Sequence, residues 1–72
     1  FDLAEAGLVR LHVFDALGQK VQTLVDRSLS AGTHQAVWRG IDQSGRSLSS
    51  GMYFYRLEVG SYSRTRKMLL MK

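Results

Sequence analysis

The chain contains no cysteine and no proline, and it has no long hydrophobic run. Without cysteine it can form neither a disulfide nor a cysteine-based metal site. No apolar stretch approaches the roughly 20 residues that a membrane-spanning helix needs, and the first residues do not resemble a signal peptide. We have no physical explanation for the absence of proline. What remains is a small domain whose stability depends on a thin apolar core.

Acidic residues are also scarce relative to basic ones. The 72 residues include ten Lys and Arg against six Asp and Glu, which gives a formal net charge of +4. This balance raises nucleic acid or an anionic glycolipid as partners. Most of the cations are scattered, which is typical of a solvated surface, but Arg64, Arg66 and Lys67 form a cluster. A hydrophobic fraction of 44% indicates a globular domain and not a disordered one.

Apolar and polar residues alternate with a period of two along much of the chain, which predicts strands and no helix. The apolar residues of segment 8–14 share one face, namely Val9, Leu11 and Val13. Asp15 and Gly18 then occupy the first and fourth positions of a turn. Residues 19–25 return as a second strand with Val21 facing inward. The sequence therefore predicts a hairpin over residues 8–25.

The second half of the chain predicts two further elements. After a polar connection over residues 26–32, a third strand is expected over residues 33–38, with Ala36 and Trp38 on one face. Residues 40–51 form the longest irregular segment, punctuated by Gly40, Gly45 and Gly51. A closing hairpin follows, with strands over residues 52–59 and 62–71 and a turn at Gly60-Ser61.

Short strands at roughly ten-residue spacing, without a helix, predict an all-β fold, a small antiparallel β-sandwich of about six to seven short strands. We expect one domain over residues 1–72. In the strand predicted over residues 52–59 the inward residues are Tyr53, Tyr55, Leu57 and Val59, with Trp38 as the large side chain opposite them. The strand at Phe1–Leu3 is expected to be truncated, with the chain a fragment of a longer secreted protein. Its missing half would leave an unpaired edge.

The sequence predicts no enzyme and no cofactor. His12 lies on the exposed face of a strand and His34 follows a loop glycine, and neither is near a nucleophile elbow or a phosphate loop. Asp42 lies in a loop that faintly resembles a calcium site. Calcium needs six to eight oxygen ligands, and only one carboxylate occurs in residues 40–51. We therefore expect Asp42 to form an Asx-turn and no metal to bind.

Aromatic and basic residues leave two binding alternatives. A sugar platform would need exposed aromatics, but Trp38, Tyr53 and Tyr55 are expected to fill the core, which leaves Phe54 and Tyr62 as surface aromatics. Nucleic-acid binding would need cations interleaved with stacking rings. We expect Arg56, Arg64 and Arg66 side by side on the outer face of the closing hairpin. This basic patch has no known motif, so no nucleic acid is expected as partner.

The order and spacing of several blocks resemble the type A C-terminal sorting domain of the type IX (Por) secretion system. The same blocks resemble the Ig-like domain of flagellar hook-capping proteins. They are residues 3–11, 13–21, 31–34, 38–40, 42–46 and 50–57, and the ending Arg66-Lys67-Met68. Two departures are Ala4, where the sorting family often has Pro, and Arg39, where it often has Asp. The resemblance covers nearly the whole chain and implies an Ig-like sandwich.

The sorting-domain resemblance implies a non-catalytic signal that directs a secreted cargo through the outer membrane to the cell surface. Its partners would be the outer-membrane secretion machinery and a sortase-like peptidase, reached through the periplasm and without membrane insertion. The hook-capping resemblance implies instead a structural or assembly module. A carbohydrate-binding module of a secreted hydrolase is a further alternative. The isolated chain could also dimerise by strand exchange.

Recognition in the sorting interpretation is expected at the C-terminal strand, because a terminal edge strand offers unpaired backbone groups to a receptor. The candidate recognition residues are Arg64, Arg66, Lys67, Met68, Leu69, Leu70, Met71 and Lys72. Alternation would place Arg64, Arg66 and Met68 on one face and Lys67, Leu69 and Met71 on the other. The residues expected to maintain the fold are Gly18, Trp38, Gly40, Gly45, Gly51, Tyr53 and Tyr55.

Overall fold

A computed structural model describes residues 1–71. This part of the chain contains six strands and no helix, so no helix in it could cross a membrane. The strands are β1 (Asp2–Leu3), β2 (Gly7–Phe14), β3 (Lys20–Leu29), β4 (Gly32–Thr33), β5 (Gly51–Val59) and β6 (Tyr62–Leu70). The predicted all-β fold is confirmed.

The strands form two antiparallel sheets in a small sandwich. One sheet has four strands in the order β3-β2-β5-β6, and the other pairs β1 with β4. The short first strand that the sequence predicts is β1, whose two residues pair with β4. The four-stranded sheet therefore carries most of the backbone pairing, and the two-stranded sheet covers only part of its inner face.

The turn between β2 and β3 is the one that the sequence predicts. The Gly18 amide donates to the Asp15 carbonyl at 3.0 Å, and the Asp15 carboxylate accepts from the amides of Leu17 and Gln19, each at 2.9 Å. Gly18 has a φ of 84°, a left-handed conformation that side chains with a Cβ rarely adopt. The Asp and the Gly therefore fix where the hairpin reverses.

Strand β3 departs from the prediction in length and in regularity. It runs to Leu29, so the predicted polar connection over residues 26–32 was wrong: Asp26 pairs with Arg10, and Ser28 with Leu8. The polar residues of this stretch lie on an edge strand, where their side chains can remain in contact with water. The pairing with β2 also skips Leu24 and Val21, which are β-bulges.

The predicted third strand is much shorter than expected. Only Gly32 and Thr33 form β4; His34 exchanges backbone hydrogen bonds with Phe1, and residues 35–39 pair with no strand of the described chain. The predicted alternation is nevertheless present, because Ala36 and Trp38 are half-buried while Val37 is 66% exposed. The segment is extended but has nothing to pair with, since β1 supplies only a short partner.

The core is small and is centred on β2 and β5. Val9 and Val13 are fully buried, and Leu3, Leu11 and Tyr53 are nearly so. The Trp38 ring packs edge-on against Tyr53, with the ring centroids 5.0 Å apart. The expected filling of the core by Trp38 against β5 is therefore found, with Tyr53 almost fully buried and Trp38 and Tyr55 half-buried.

Candidate functional site

Strand β6 pairs with β5 without interruption. The turn at Gly60-Ser61, where Gly60 has a φ of 58°, sets Tyr62 opposite Val59. The register then holds over nine residues to the pair formed by Leu70 and Gly51, with no bulge. Because β6 is the last strand of its sheet, its other edge has no strand partner within residues 1–71. This edge carries the recognition candidates.

The two faces of β6 differ in chemistry, as the alternation predicts. Arg64, Arg66 and Met68 lie opposite Leu57, Tyr55 and Tyr53, on the face that looks toward the core. Lys67 and Leu69 lie on the outer face. Met71 follows the strand and is 79% exposed, while Lys72 lies outside the described residues. Since Met68 and Leu70 are half-buried and the cations are exposed, the strand both completes the core and presents charge.

The predicted basic patch is divided between the two faces. Arg56 pairs with Thr65, so it lies on the outer face, whereas Arg64 and Arg66 lie on the inner one. The expectation that all three share the outer face was wrong, because the register set by the turn places them one residue out of phase. Arg56 donates to the Thr65 hydroxyl at 3.3 Å, and its guanidinium lies 5.4 Å from the centroid of the Phe14 ring.

An outer-face row of two phenylalanines between two lysines crosses the four-stranded sheet. Phe14 pairs with Lys20 on one side and with Phe54 on the other, and Phe54 pairs with Lys67. Phe54 is one of the surface aromatics that the sequence predicts, whereas Phe14 was not predicted to be one. The alternation in the sequence does indicate it, because the period of two places Phe14 on the same face as Arg10 and His12.

The other end of the outer face is nearly neutral. Arg10 contacts the Asp26 carboxylate at 3.4 Å, and His12 lies 3.7 Å from the Glu58 carboxylate. The His12 ring also shares a hydrogen bond with the Thr23 hydroxyl at 3.0 Å. The positive charge without an acidic neighbour across the strands therefore lies toward the end of this face that holds Lys20, Arg56 and Lys67.

The loop that contains Asp42 is closed on itself. The Asp42 carboxylate accepts from the amides of Ser44 and Arg46, at 2.9 and 3.0 Å, and from the Arg46 side chain at 3.2 Å. These are the contacts of the predicted Asx-turn, with Gly45 at a φ of 86°. The Arg46 amide is the main reason that the pKa of Asp42 lies below its usual value. Residues 1–71 contain no cluster of side chains suited to a metal ion.

The Asp42 loop also covers one edge of the sheet. The Gln43 amide donates to the carbonyl of the bulged Val21 at 3.0 Å, and the Gln22 side chain donates to the Asp42 carbonyl at 3.0 Å. Gly40, which is buried, begins this loop, and its carbonyl accepts from the Leu48 amide. The loop therefore anchors to β3, on the side of the sheet opposite to β6.

The aromatic and histidine residues fit structural roles. Tyr53 donates from its hydroxyl to the Ser49 carbonyl at 2.7 Å, and Trp38 donates to the Ile41 carbonyl at 2.9 Å. Among the aromatics within residues 1–71, Tyr62 is the one largely exposed, at 53%. His34 contacts the Ser30 carbonyl at 2.7 Å. A row of exposed rings, which a sugar platform needs, is absent from this part of the chain.

Comparison of the sequence with models of known families identifies the family of this chain. A family model described as the FlgD Ig-like domain matches residues 3–63. The chain belongs to the FlgD Ig-like domain family. No curated protein and no solved structure matched in the corresponding searches.

The FlgD Ig-like family is structural and not catalytic, which agrees with the interpretation of this chain as a non-enzyme. The match begins at Leu3, the last residue of β1, runs through β5 and ends at Ser63, the second residue of β6. The resemblance to the hook-capping Ig-like domain is therefore shown, whereas the comparisons give no support to the type IX sorting resemblance. All of the recognition candidates lie beyond the matched residues.

Proposed function

We propose that this domain is a non-catalytic structural and assembly module of the flagellar hook-capping type. The observation that carries the proposal is the family match over residues 3–63. A module of this kind works by offering surfaces to neighbouring subunits. In the described chain the one edge of the larger sheet that is regular and not covered by a loop is β6.

The β6 edge has the chemistry of a docking strand. It offers nine regularly paired residues, and most of its side chains are exposed. Extended partners add to such an edge through backbone hydrogen bonds, and side chains at alternate positions select among them. Because Arg64, Arg66 and Lys67 lie along this strand, the favoured partner is an extended segment rich in Asp or Glu, whose encounter the cations would accelerate.

A domain exchange tests the assembly function. In a flagellar hook-capping protein, the native Ig-like domain is replaced by residues 1–72, and hook assembly and swimming are measured beside a version with the domain deleted. We expect the exchanged domain to restore more assembly than the deletion does. Equal failure of the two proteins, with the exchanged domain folded by circular dichroism, would contradict the proposal.

A matched pair of charge reversals tests the surface. Lys67 on β6 and Lys20 on β3 lie in the same row across the sheet but at opposite edges. We expect Lys67→Glu in the exchanged domain to reduce assembly and Lys20→Glu to leave it unchanged. Equal effects of the two reversals would show that net charge matters and the β6 edge does not.

A C-terminal sorting signal is the second candidate, favoured by one observation. The exposed, cation-bearing edge strand β6 is the last of the six strands in chain order, which is where a sorting signal of this type would be read. In this function the domain would direct a secreted cargo through the periplasm and the outer-membrane secretion machinery to the cell surface, where a sortase-like peptidase would remove it. Arg64 and residues 66–72 would then be the recognition element.

A secretion assay separates the two candidates. Residues 1–72 are fused to a fluorescent passenger with a general export signal, in a host with a type IX system. Because Met68 and Leu70 are half-buried, removal of residues 67–72 would also disturb the core, so the sharper variant is Arg66→Glu with Lys67→Glu. If the unmodified domain is delivered to the surface and the double reversal abolishes this delivery, the result supports sorting. If both proteins stay in the periplasm, assembly is the candidate that remains.

A further inference from the structure

Two arginines of β6 line a cavity at one side of the sandwich. The cavity lies between β1 and the hairpin formed by β5 and β6, and it has a volume of about 450 Å³. Arg64 and Arg66 line it beside three uncharged side chains, namely Tyr55, Leu57 and Tyr62. The two cations of the inner face are therefore next to a partly enclosed space whose wall is mostly aromatic and aliphatic.

These two arginines have no acidic partner within residues 1–71. Their neighbours across β5 are Leu57 and Tyr55, which carry no charge. Asp2 also lines the cavity, but its carboxylate accepts from the Thr33 hydroxyl at 2.6 Å and forms no ion pair with either arginine. A ligand that brings two negative charges to this space would supply the missing partners.

The turn between β5 and β6 determines which backbone groups of β6 are free. Gly60 has a φ of 58° in a two-residue turn, so the flanking residues Val59 and Tyr62 form a hydrogen-bonded pair. Hydrogen-bonded and non-hydrogen-bonded pairs alternate along an antiparallel ladder. The residues whose amides and carbonyls point to the uncovered edge are therefore Ser63, Thr65, Lys67 and Leu69.

A strand added to this edge would place side chains directly beside the arginines. Because the new hydrogen bonds involve residues such as Thr65, the residues opposite Arg64 and Arg66 belong to non-hydrogen-bonded pairs, in which opposed side chains come closest. Opposed residues share a face, so these side chains point into the cavity. The two arginines are separated by one residue, about 7 Å along the strand. Two carboxylates with the same separation along the partner match them.

We propose that Arg64 and Arg66 recognise two acidic residues at positions i and i+2 of an extended protein segment that adds to β6. The inference rests on the proposed function, in which β6 is a docking strand, and it specifies the sequence pattern of the partner. The partner is a polypeptide because it must also satisfy the free backbone groups of the edge. It runs antiparallel to β6, as neighbouring strands of this sheet do.

The rest of the pattern follows from the other inward residues of β6. Met68 and Leu70 are half-buried and uncharged, so the partner is apolar opposite them. Since an antiparallel partner meets Leu70 first, its inward residues read apolar, apolar, acidic, acidic from N-terminus to C-terminus. One outward residue separates each from the next.

Lys67 has a different part in this recognition. It follows Arg66 in the sequence but lies on the outer face and is exposed. Ion pairs in solvent are screened and contribute little, whereas pairs in a partly enclosed cavity are screened less. Arginine can also bind a carboxylate through two parallel hydrogen bonds, which lysine cannot. The arginines therefore determine specificity, and Lys67 mainly accelerates the encounter.

The experiment measures the binding of two synthetic peptides, blocked at both ends, to residues 1–72. The first is Val-Thr-Val-Thr-Glu-Thr-Glu, which places its glutamates opposite Arg66 and Arg64. The second has glutamine in place of the glutamate opposite Arg66. The Kd of each peptide is measured by calorimetry for the unmodified protein, for Arg66→Gln and for Lys67→Gln. The two variants are matched, because each removes one positive charge from adjacent positions of β6.

We expect Arg66→Gln to weaken the first peptide at least about tenfold and Lys67→Gln to weaken it no more than about threefold. The second peptide should bind the unmodified protein more weakly than the first, and Arg66→Gln should change its Kd little. This coupling between one glutamate and Arg66 supports the inference. Equal effects of the two variants on the first peptide overturn it and leave docking at β6 intact.

Hydrogen exchange locates the bound peptide. The amides of Thr65, Lys67 and Leu69 should be protected at least about tenfold at saturation, whereas those of Arg64 and Arg66 already bond to β5. Protection elsewhere in the chain overturns the inference, and so does the absence of binding by the first peptide. The domain exchange in a hook-capping protein needs no peptide, so a failure of the inference is distinguishable from a failure of the proposed function.

Discussion

The two edges of the four-stranded sheet are protected against pairing with other strands in different ways. Strand β3 is interrupted by bulges at Val21 and Leu24, and the loop around Asp42 docks onto it. Strand β6 has a regular register and no covering loop, and its defence against pairing is its cations. Bulges, cover and charge are alternative ways to protect an edge. Charge alone repels wrong partners while leaving the backbone accessible to a suitable one.

Loss of Tyr53 is expected to have the largest effect, because β6 is held to the core mainly from its inner face. Tyr53 pairs with Met68, packs on Trp38 and is 6% exposed. Tyr53→Ala should lower the free energy of unfolding by about 3–5 kcal/mol, measured by urea denaturation. Tyr53→Phe, which loses the hydrogen bond to Ser49, should lower it by about 1 kcal/mol. Similar losses in both variants would mean that packing against β6 contributes little.

Removing one lysine from each edge sharpens the comparison directly. Lys67→Val removes the outer-face cation of the uncovered edge, and we expect the self-association constant, measured by sedimentation, to rise at least about tenfold. Lys20→Val makes the same change beside the bulge at Val21, where the interrupted ladder cannot template a long pairing. The comparison fails if both variants associate equally.

Opening the Asp42 loop would make the covered edge more like the exposed one. Asp42→Ala removes the acceptor for the Ser44 and Arg46 amides, so the loop should release β3. We expect the Gln43 amide, which donates to Val21, to exchange several-fold faster with deuterium. The Arg64 and Thr65 amides on β6 serve as internal controls. An unchanged Gln43 rate would show that the loop is held by its other contacts.

Acid should have the smallest effect, and it should act on the covered edge. The pKa of Asp42 is lowered, chiefly because its carboxylate accepts from the Arg46 amide. Its contribution to stability is therefore present above its unfolded pKa of about 3.9 and is lost as the pH falls through the lower folded value. Between pH 6 and pH 2 the Tm difference between the natural protein and Asp42→Asn should shrink. A difference that is constant with pH would assign the effect to something other than the charge.

Local rules account for the parts of this fold that were predicted correctly. The alternation in residues 8–14 is strict because β2 is central and one of its faces is buried. Asp15 and Gly18 encode their turn within four residues. Gly60-Ser61 does the same for the closing hairpin. In each case, the residues that determine the structure are neighbours in the sequence.

The errors occurred where distant residues decide the outcome. The alternation of residues 33–38 was real, but a strand also needs a partner, which lies some thirty residues away in β1. The polar residues of β3 concealed a strand because an edge tolerates them. The faces of Arg56, Arg64 and Arg66 follow from the hairpin register, since Val59 opposite Tyr62 places Arg56 opposite Thr65. Counting from the turn would have separated them.

The unbroken register of β6 also has a mechanical consequence. Within residues 1–71, this strand is paired along one edge only, from Val59 with Tyr62 to Gly51 with Leu70. A force applied beyond Leu70 and directed away from β5 would open these pairs one after another, as a zipper opens, beginning at Gly51. Strand β2, paired on both sides, would have to slide past two neighbours at once. We therefore expect the domain to yield first at β6.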